Sequence, residues 1–203
     1  MARITPMEAH AAPPSISKAL TSLFKSWGQK WRVVETIANS GSLLSIFISM
    51  HAALQKCSLS EDDREVIDLW LAKANGCHYC VPAHILASRN AGMPDDEITA
   101  ILEGRDPKDP RRRLILKATK AIQETKGGLS DAALEKLQTE GLSTENLFDI
   151  IGEIAHCTIT NYSNRLAQTD PDDFLLDVKL DTKQEGLPAP KTLRYPLRPP
   201  KCG

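Results

Sequence analysis

The feature of this sequence that most constrains its fold is a helix-boundary signal that recurs between residues 60 and 168, without strand-like alternation between the signals. Ser60 is followed by three acidic residues, a pattern typical of a helix N-cap and the positive end of a helix. This helix is expected to end near Ala74, because Asn75-Gly76 is a common way to terminate a helix. The pattern therefore predicts a helix between Ser60 and Asn75.

Similar signals predict most of the remaining chain. Further helices are expected from residues 77–79 to Gly92, after Pro94, from Pro110 to about Lys126, after Ser130, and from Ser143 to about Gln168. One or two more helices are expected within residues 15–54. The predicted fold class is all-α, with the helices packed as a single-domain bundle.

The prolines predict irregular arms at both ends of the bundle. Nine of the thirteen prolines lie before residue 15 or after residue 170. We therefore expect an N-terminal arm with helices in residues 1–55, a helical core in residues 56–169 and a proline-rich arm in residues 170–203. The last arm is predicted to be extended, and either to wrap a neighbouring subunit or to stay disordered.

Charge and hydropathy argue against several classes of partner. The formal net charge is −1, and the only basic run, residues 111–113, is expected to be the solvated side of a helix start. Residues 43–54 form the most apolar stretch, which is too short to span a bilayer, and the first 14 residues contain no apolar signal-peptide core. We expect a cytoplasmic protein without a nucleic-acid or membrane partner.

Two of the five cysteines, Cys77 and Cys80, form a Cys-x-x-Cys pair that is followed by His84. Residues three and four apart lie on one face of a helix, so one helix edge can present two thiols and an imidazole. Pro82 has no N–H and fits most easily in a first turn, which predicts that the helix starts near Tyr79. The thiols are thus expected near the positive end of the helix.

This placement has a chemical consequence. A thiol with the ordinary pKa of about 8.5 is only about 3% thiolate at pH 7, and lowering that pKa by two units requires roughly 2.7 kcal/mol. A helix N-terminus contributes at most about 2 kcal/mol. An imidazole that accepts the proton can supply the remainder, and His84 is placed to do so. The residues themselves therefore favour a redox-active dithiol.

Other interpretations of the motif stay open. A zinc site would use Cys77, Cys80 and His84, with Glu65 or His156 as the fourth ligand, although no second ligand pair exists. The pair can also be without function. A c-type haem site and a thioredoxin-like fold are excluded, because the sequence lacks the required histidine after the second cysteine and the required preceding strand. Taken by its pattern alone, Glu65 is expected to be solvated.

The other polar and aromatic residues predict mainly structural roles. His156 is expected in the core, in an interface or in the pocket, and His78 on the surface. Asn161, Asn164 and Arg165 are expected to cap a helix or contact another subunit. The isolated cysteines (Cys57, Cys157, Cys202) and the tryptophans (Trp27, Trp31, Trp70) are expected to be bystanders or packing residues.

The spacing of Glu65, Cys77, Cys80 and His84 resembles that of the carboxymuconolactone decarboxylase and alkyl hydroperoxidase D-like family. The likeness covers about residues 60–167, including Gly92-Met93-Pro94 and the helix end at residues 161–165. It implies an alkyl hydroperoxidase D-like helical bundle that assembles as a homo-oligomer (dimer, trimer or hexamer). It also implies thiol peroxidase or disulfide reductase chemistry.

The resemblance implies a role for each motif residue. Cys80 would be the attacking thiolate, Cys77 the resolving thiol, His84 the proton relay and Glu65 the residue that orients or charges the relay. The sequence departs from the best-known peroxidase members at Tyr79, where they carry a histidine.

The resemblance implies a hydroperoxide substrate. An external dithiol reductant is expected as well, because no nucleotide-binding Gly-x-Gly-x-x-Gly follows a strand. No cofactor or metal is expected. A non-redox decarboxylase-like enzyme and a redox-sensing or metal-binding stress protein remain alternatives.

Overall fold

The computed structural model describes residues 2–180, which contain nine α-helices, one 3₁₀ helix and no strand. The α-helices are α1 (Pro14–Trp27), α2 (Arg32–Ile37), α3 (Gly41–Leu54), α4 (Glu61–Ala74), α5 (Cys80–Asn90), α6 (Asp95–Leu102), α7 (Pro110–Thr125), α8 (Asp131–Thr139) and α9 (Thr144–Ala167), and the 3₁₀ helix is Asp173–Leu175. The predicted all-α fold is confirmed.

The N-terminal region contains three helices, so the expectation of one or two was wrong. The missed boundary lies at Ser40, whose hydroxyl accepts a hydrogen bond from the backbone N–H of Leu43. This cap separates the six-residue helix α2 from α3. The apolar residues on both sides of Ser40 had obscured this boundary in the sequence.

The predicted start and end of α4 and the predicted start of α5 are confirmed. Ser60 and Asp63 form a reciprocal capping box at the start of α4. At its end, Gly76 has a φ of +63°, and the N–H groups of Gly76 and Cys77 bond to the carbonyls of Lys73 and Ala72. This Schellman arrangement turns the chain sharply and delivers Cys77 to the start of α5.

Helix α4 lies at the centre of the bundle and packs against α5, α6, α7 and α9. Its apolar residues are buried on nearly every side, and Val66, Ile67, Leu69 and Leu71 are all 0% exposed. Burying each such side chain contributes roughly 1.5–3 kcal/mol. Helices α2 and α3 pack on α9, so the N-terminal helices complete the wall around the region between α4, α5 and α9.

Arg111 and Arg112 are half-buried ion-pair residues, so the expectation that this basic run is solvated was wrong for them. Arg111 bonds to both carboxylate oxygens of Asp63 at 3.0 Å, and Arg112 bonds to Asp62 at 2.9 Å. The acidic first turn of α4 thus pairs with the basic first turn of α7. Only Arg113 is exposed, and it donates to backbone carbonyls.

Helix α9 carries an exposed apolar face. The apolar side chains exposed on it are Phe148, Ile151, Tyr162 and Leu166, of which Phe148 is 69% exposed.

None of the helices in residues 2–180 is both long enough and apolar enough to cross a membrane. The predicted homo-oligomer stays a prediction, and the prolines predicted to extend the tail, from Pro188 to Pro200, lie outside the described residues.

Candidate functional site

The two cysteines of the motif are joined by a disulfide, with their Cα atoms 5.2 Å apart. Cys77 precedes α5, and Cys80 is its first residue, so the helix begins where the position of Pro82 predicted. The backbone N–H of Cys80 points at the Sγ of Cys77, 3.2 Å away. Both sulfurs therefore lie at the positive end of α5, as expected from the sequence.

A cavity of about 400 Å³ lies beside the disulfide. Cys80 lines the cavity, whereas Cys77 does not line it and is 0% exposed. The aromatic side chains of Trp27, Trp31 and Phe47 form part of the wall. The volume is in the range of sites that hold small organic molecules. Of the two sulfurs, only that of Cys80 can meet a molecule in this cavity.

His84 and Glu65 meet at the same cavity. The Nδ1 atom of His84 lies 3.0 Å from Oε2 of Glu65 and 3.8 Å from Oδ2 of Asp68. The side chain of Glu65 is only 13% exposed, so the solvated position that its pattern favoured was wrong. All four motif residues are thus brought together, with Cys80, His84 and Glu65 on the cavity wall and Cys77 behind Cys80.

The charges around His84 favour its cationic form. Burial alone lowers the pKa of an imidazole, but the neighbouring carboxyl groups of Asp68 and Glu65 outweigh burial and raise the pKa of His84 to about 9. Burial and the nearby Glu153 hold the pKa of Asp68 well above the usual range of a carboxyl group. Near neutral pH, His84 can therefore donate a proton into the cavity.

Asn164 and Asn161 belong to the site, so the expectation that they cap a helix or contact a subunit was wrong. Both side chains are 0% exposed and project from α9 towards sulfur atoms. The Nδ2 of Asn164 lies 3.4 Å from the Sγ of Cys80, and that of Asn161 lies 3.3 Å from the Sγ of Cys157. An amide donor aimed at Cys80 stabilises negative charge on that sulfur.

The cavity is also lined by Glu153, His156 and Cys157 of α9, together with His51 of α3. His156 lies 3.3 Å from Glu153 and stacks on Phe47, with ring centroids 5.0 Å apart, so it occupies the pocket that was one of its expected places. Burial lowers the pKa of His51 to about 4 and raises that of the Cys157 thiol well above its usual range. Cys157 is therefore not an exposed, reactive thiol.

Tyr79 occupies the position at which the sequence departs from the best-known peroxidases. Its hydroxyl donates to Oδ2 of Asp172 and accepts from the N–H of Val33. Burial and the neighbouring Asp172 raise its pKa further above the ordinary value. Tyr79 consequently anchors α2 and the segment after α9 to the start of α5.

His78 is half-buried, so its predicted exposure was wrong. Its Nε2 lies 2.9 Å from the carbonyl oxygen of Thr169. The segment that follows α9 folds back over the start of α5 and covers it, a long-range contact that local sequence spacing does not reveal.

Comparison with known proteins agrees with this geometry. Residues 43–121 match the sequence profile of the carboxymuconolactone decarboxylase family. Over this segment the chain is similar to that family. No curated protein sequence matches the chain. The family match includes α4, α5 and the turn between them, and hence all four motif residues.

Solved structures of low sequence identity share the fold. The alkylhydroperoxidase AhpD core of an uncharacterised peroxidase-related protein from Ralstonia eutropha JMP134 is 22% identical, with a TM-score of 0.74 over 86% of this chain and 94% of that one. A peroxidase-related protein from Silicibacter sp. TM1040 is 20% identical, with a TM-score of 0.67 over 80% and 87%.

A third similar structure is the debrominase Bmp8 in its apo form, which is 16% identical, with a TM-score of 0.68 over 85% of this chain and 93% of that chain. A variant of the same debrominase was crystallised with 2,3,4-tribromopyrrole. The alkyl hydroperoxidase D-like fold is thus common to proteins described by different activities.

Proposed function

We propose that this protein is a thiol-dependent peroxidase or disulfide reductase that reduces organic hydroperoxides through Cys80 and Cys77, with His84 as the proton relay. The observation that carries the proposal is a cysteine pair close enough to form a disulfide, of which Cys80 alone faces a cavity that also contains a cationic histidine. Perturbed titratable groups in a cleft are characteristic of active sites.

The first step is attack on the peroxide. The Cys80 thiolate attacks the distal oxygen of the hydroperoxide, so that an S–O bond forms and the O–O bond breaks; Cys80 becomes a sulfenic acid and an alkoxide leaves. The positive end of α5 and the amide of Asn164 stabilise the thiolate before attack. Protonated His84 gives its proton to the alkoxide, which leaves as the alcohol.

The second step closes the disulfide. Cys77 attacks the Cys80 sulfur, and water is expelled with the sulfenic oxygen. The pair is separated by only two residues and already has disulfide geometry, so no large rearrangement is required. An external dithiol then reduces the bond and is itself oxidised to a disulfide, which balances the two electrons given to the peroxide.

Glu65 has a positioning role in this proposal. Its carboxylate accepts a hydrogen bond from Nδ1 of His84 at 3.0 Å, which fixes the ring and favours the imidazolium form. The tyrosine at position 79 does not take over the role of a second histidine, because its hydroxyl is engaged with Asp172 and Val33.

Reductive dehalogenation of an aromatic compound is a second candidate. It is favoured by the aromatic wall of the cavity at Trp27, Trp31 and Phe47 and by the similar fold of a debrominase. Such a reaction would replace an aryl C–Br bond with C–H, release bromide and oxidise the two thiols to the disulfide. It uses the same cysteine pair but requires a different electrophile.

Turnover in the presence of a small dithiol tests the proposal. The wild-type protein should consume cumene hydroperoxide catalytically, and Cys80→Ser should abolish this activity. The matched control is Cys57→Ser, because Cys57 is a free cysteine that does not line the cavity. Bromide release from a brominated pyrrole without peroxide consumption would favour the second candidate. Lactone decarboxylation that survives Cys80→Ser would favour the non-redox alternative.

A further inference from the structure

Three carboxyl groups lie on the wall of the cavity, and two of them contain an oxygen that lacks a hydrogen-bond partner. Glu65, Asp68 and Glu153 all line the cavity. Oδ1 of Asp68 and Oε2 of Glu153 are buried and bond to no other group, and these side chains are only 9% and 3% exposed. The other oxygen of each group faces a histidine, Asp68 towards His84 and Glu153 towards His156, so one buried oxygen of each group remains available to a cation.

Asp68, His84 and Cys157 converge at this wall from three different helices. Asp68 lies on α4, His84 on α5 and Cys157 on α9. One donor atom from each residue lies within 4.8 Å of the other two. In a tetrahedral zinc site with bonds of about 2.0–2.3 Å, neighbouring ligand atoms are about 3.5 Å apart. Small side-chain rotations would therefore close the three donors around one ion.

Glu65 provides the outer support that such a site requires. Because its carboxylate accepts from Nδ1–H of His84, Nε2 is the nitrogen that binds a metal once the imidazolium has lost its second proton. A histidine that binds a metal through one nitrogen and a carboxylate through the other is a common arrangement in metal sites. One oxygen, one nitrogen and one sulfur donor suit a borderline divalent ion rather than Mg²⁺ or Ca²⁺.

We propose that Asp68, His84 and Cys157 bind a divalent cation of the Zn²⁺ class, with a fourth coordination position open to the cavity. The site uses neither Cys77 nor Cys80, so it differs from the zinc site that the sequence motif left open. A cation on His84 takes the place of the proton that the relay donates. Metal binding and peroxide reduction therefore compete for the same imidazole.

The test is a titration of the disulfide form with Co²⁺ and then with Zn²⁺ in competition with a chromophoric chelator. Oxidation of the Cys77–Cys80 pair removes those thiols as alternative ligands. We expect one equivalent of Co²⁺ to bind and to produce a sulfur-to-cobalt charge-transfer band in the near ultraviolet. Zn²⁺ should displace the Co²⁺ and abolish the band.

Variants assign the ligands. Cys157→Ser should remove the sulfur-to-cobalt charge-transfer band. Asp68→Asn should weaken Zn²⁺ binding by at least about tenfold, and Glu65→Gln should weaken it by roughly 10- to 100-fold. Cys57→Ser is the matched control and should bind as the wild type does, because Cys57 lies outside the cavity lining and donates to the carbonyl of Leu59. Circular dichroism of each variant confirms that it is folded.

The proposal is overturned if the disulfide form binds no stoichiometric Co²⁺, if bound Co²⁺ lacks the thiolate band, or if the band persists in Cys157→Ser. If Cys157→Ser does not fold, the band of the wild-type protein and its retention in both Cys57→Ser and Cys202→Ser decide the matter, because these are the other two cysteines outside the disulfide. The titration contains no peroxide, so its outcome is independent of whether the protein reduces hydroperoxides.

Discussion

Replacing Glu65 with glutamine should lower the pKa of His84 from about 9 by roughly 1 to 3 pH units. The substitution keeps the size of the side chain and a carbonyl acceptor, but it removes a negative charge 3.0 Å from Nδ1. At an effective dielectric constant of about 20, that charge attracts the imidazolium by about 5.5 kcal/mol. The expected change corresponds to about 1.4–4 kcal/mol, less than this limit because the glutamine carbonyl still accepts from Nδ1–H and the loss of the Glu65 charge favours ionisation of Asp68.

Nuclear magnetic resonance can measure this change directly. The protein contains only five histidines, so the ring signals can be followed individually across the range between the ordinary pKa of about 6.5 and the raised value. His84→Gln assigns the signal by its disappearance. The matched control is Glu61→Gln, which removes an exposed carboxylate from the same helix and the same cavity wall without touching His84.

Two results would refute the reasoning. One is a wild-type His84 that titrates near the ordinary pKa of about 6.5. The other is a pKa of His84 that Glu65→Gln leaves unchanged, or that Glu61→Gln lowers by the same amount. If the relay works as proposed, the alkaline limb of the peroxide-reduction rate should move to lower pH in Glu65→Gln together with the pKa.

Three other predictions concern stability and assembly. The raised pKa of His84 stabilises the fold fully below the unfolded pKa of about 6.5, and this contribution is lost as the pH rises through about 9. In urea titrations, the unfolding free energies of wild type and His84→Gln should therefore differ by on the order of 3 kcal/mol at low pH and converge above about pH 9. Curves that stay parallel across this pH range would contradict the prediction. Tyr79→Phe should lower the unfolding free energy by roughly 1–3 kcal/mol in the same assay but leave peroxide-dependent disulfide formation intact, because it removes only the hydrogen bonds to Asp172 and Val33. Unchanged stability together with lost reactivity would instead make Tyr79 a proton-relay group. Phe148→Glu should reduce the mass measured by light scattering if the exposed face of α9 joins the predicted homo-oligomer, and an unchanged mass would exclude this face.

The local signals in the sequence were sufficient for the helical framework. Ser60 with its acidic neighbours, Gly76 and Pro110 act on adjacent backbone, so their effects do not depend on distant contacts. The position of Pro82 likewise located the start of α5 and the two sulfurs. The boundary at Ser40 was missed because apolar residues on both sides concealed a single hydroxyl cap.

The rest of the site depends on packing between distant helices. Asn164 reaches Cys80 across 84 residues, and nothing in its own neighbourhood distinguishes it from a helix-end residue. A partial signal did exist for Asp68, since an acidic residue within the apolar run from Val66 to Ala72 must be buried if α4 is central. Tyr79 was informative only once its hydrogen bonds were known.

Reaction of the reduced protein with one equivalent of an organic hydroperoxide tests the central claim most directly. Thiols are counted before and after the reaction, and the products are mapped by mass spectrometry. The account predicts the loss of about two thiols and a disulfide between Cys77 and Cys80, with the alcohol formed in equal amount. Survival of both thiols, or oxidation confined to Cys57, would contradict it.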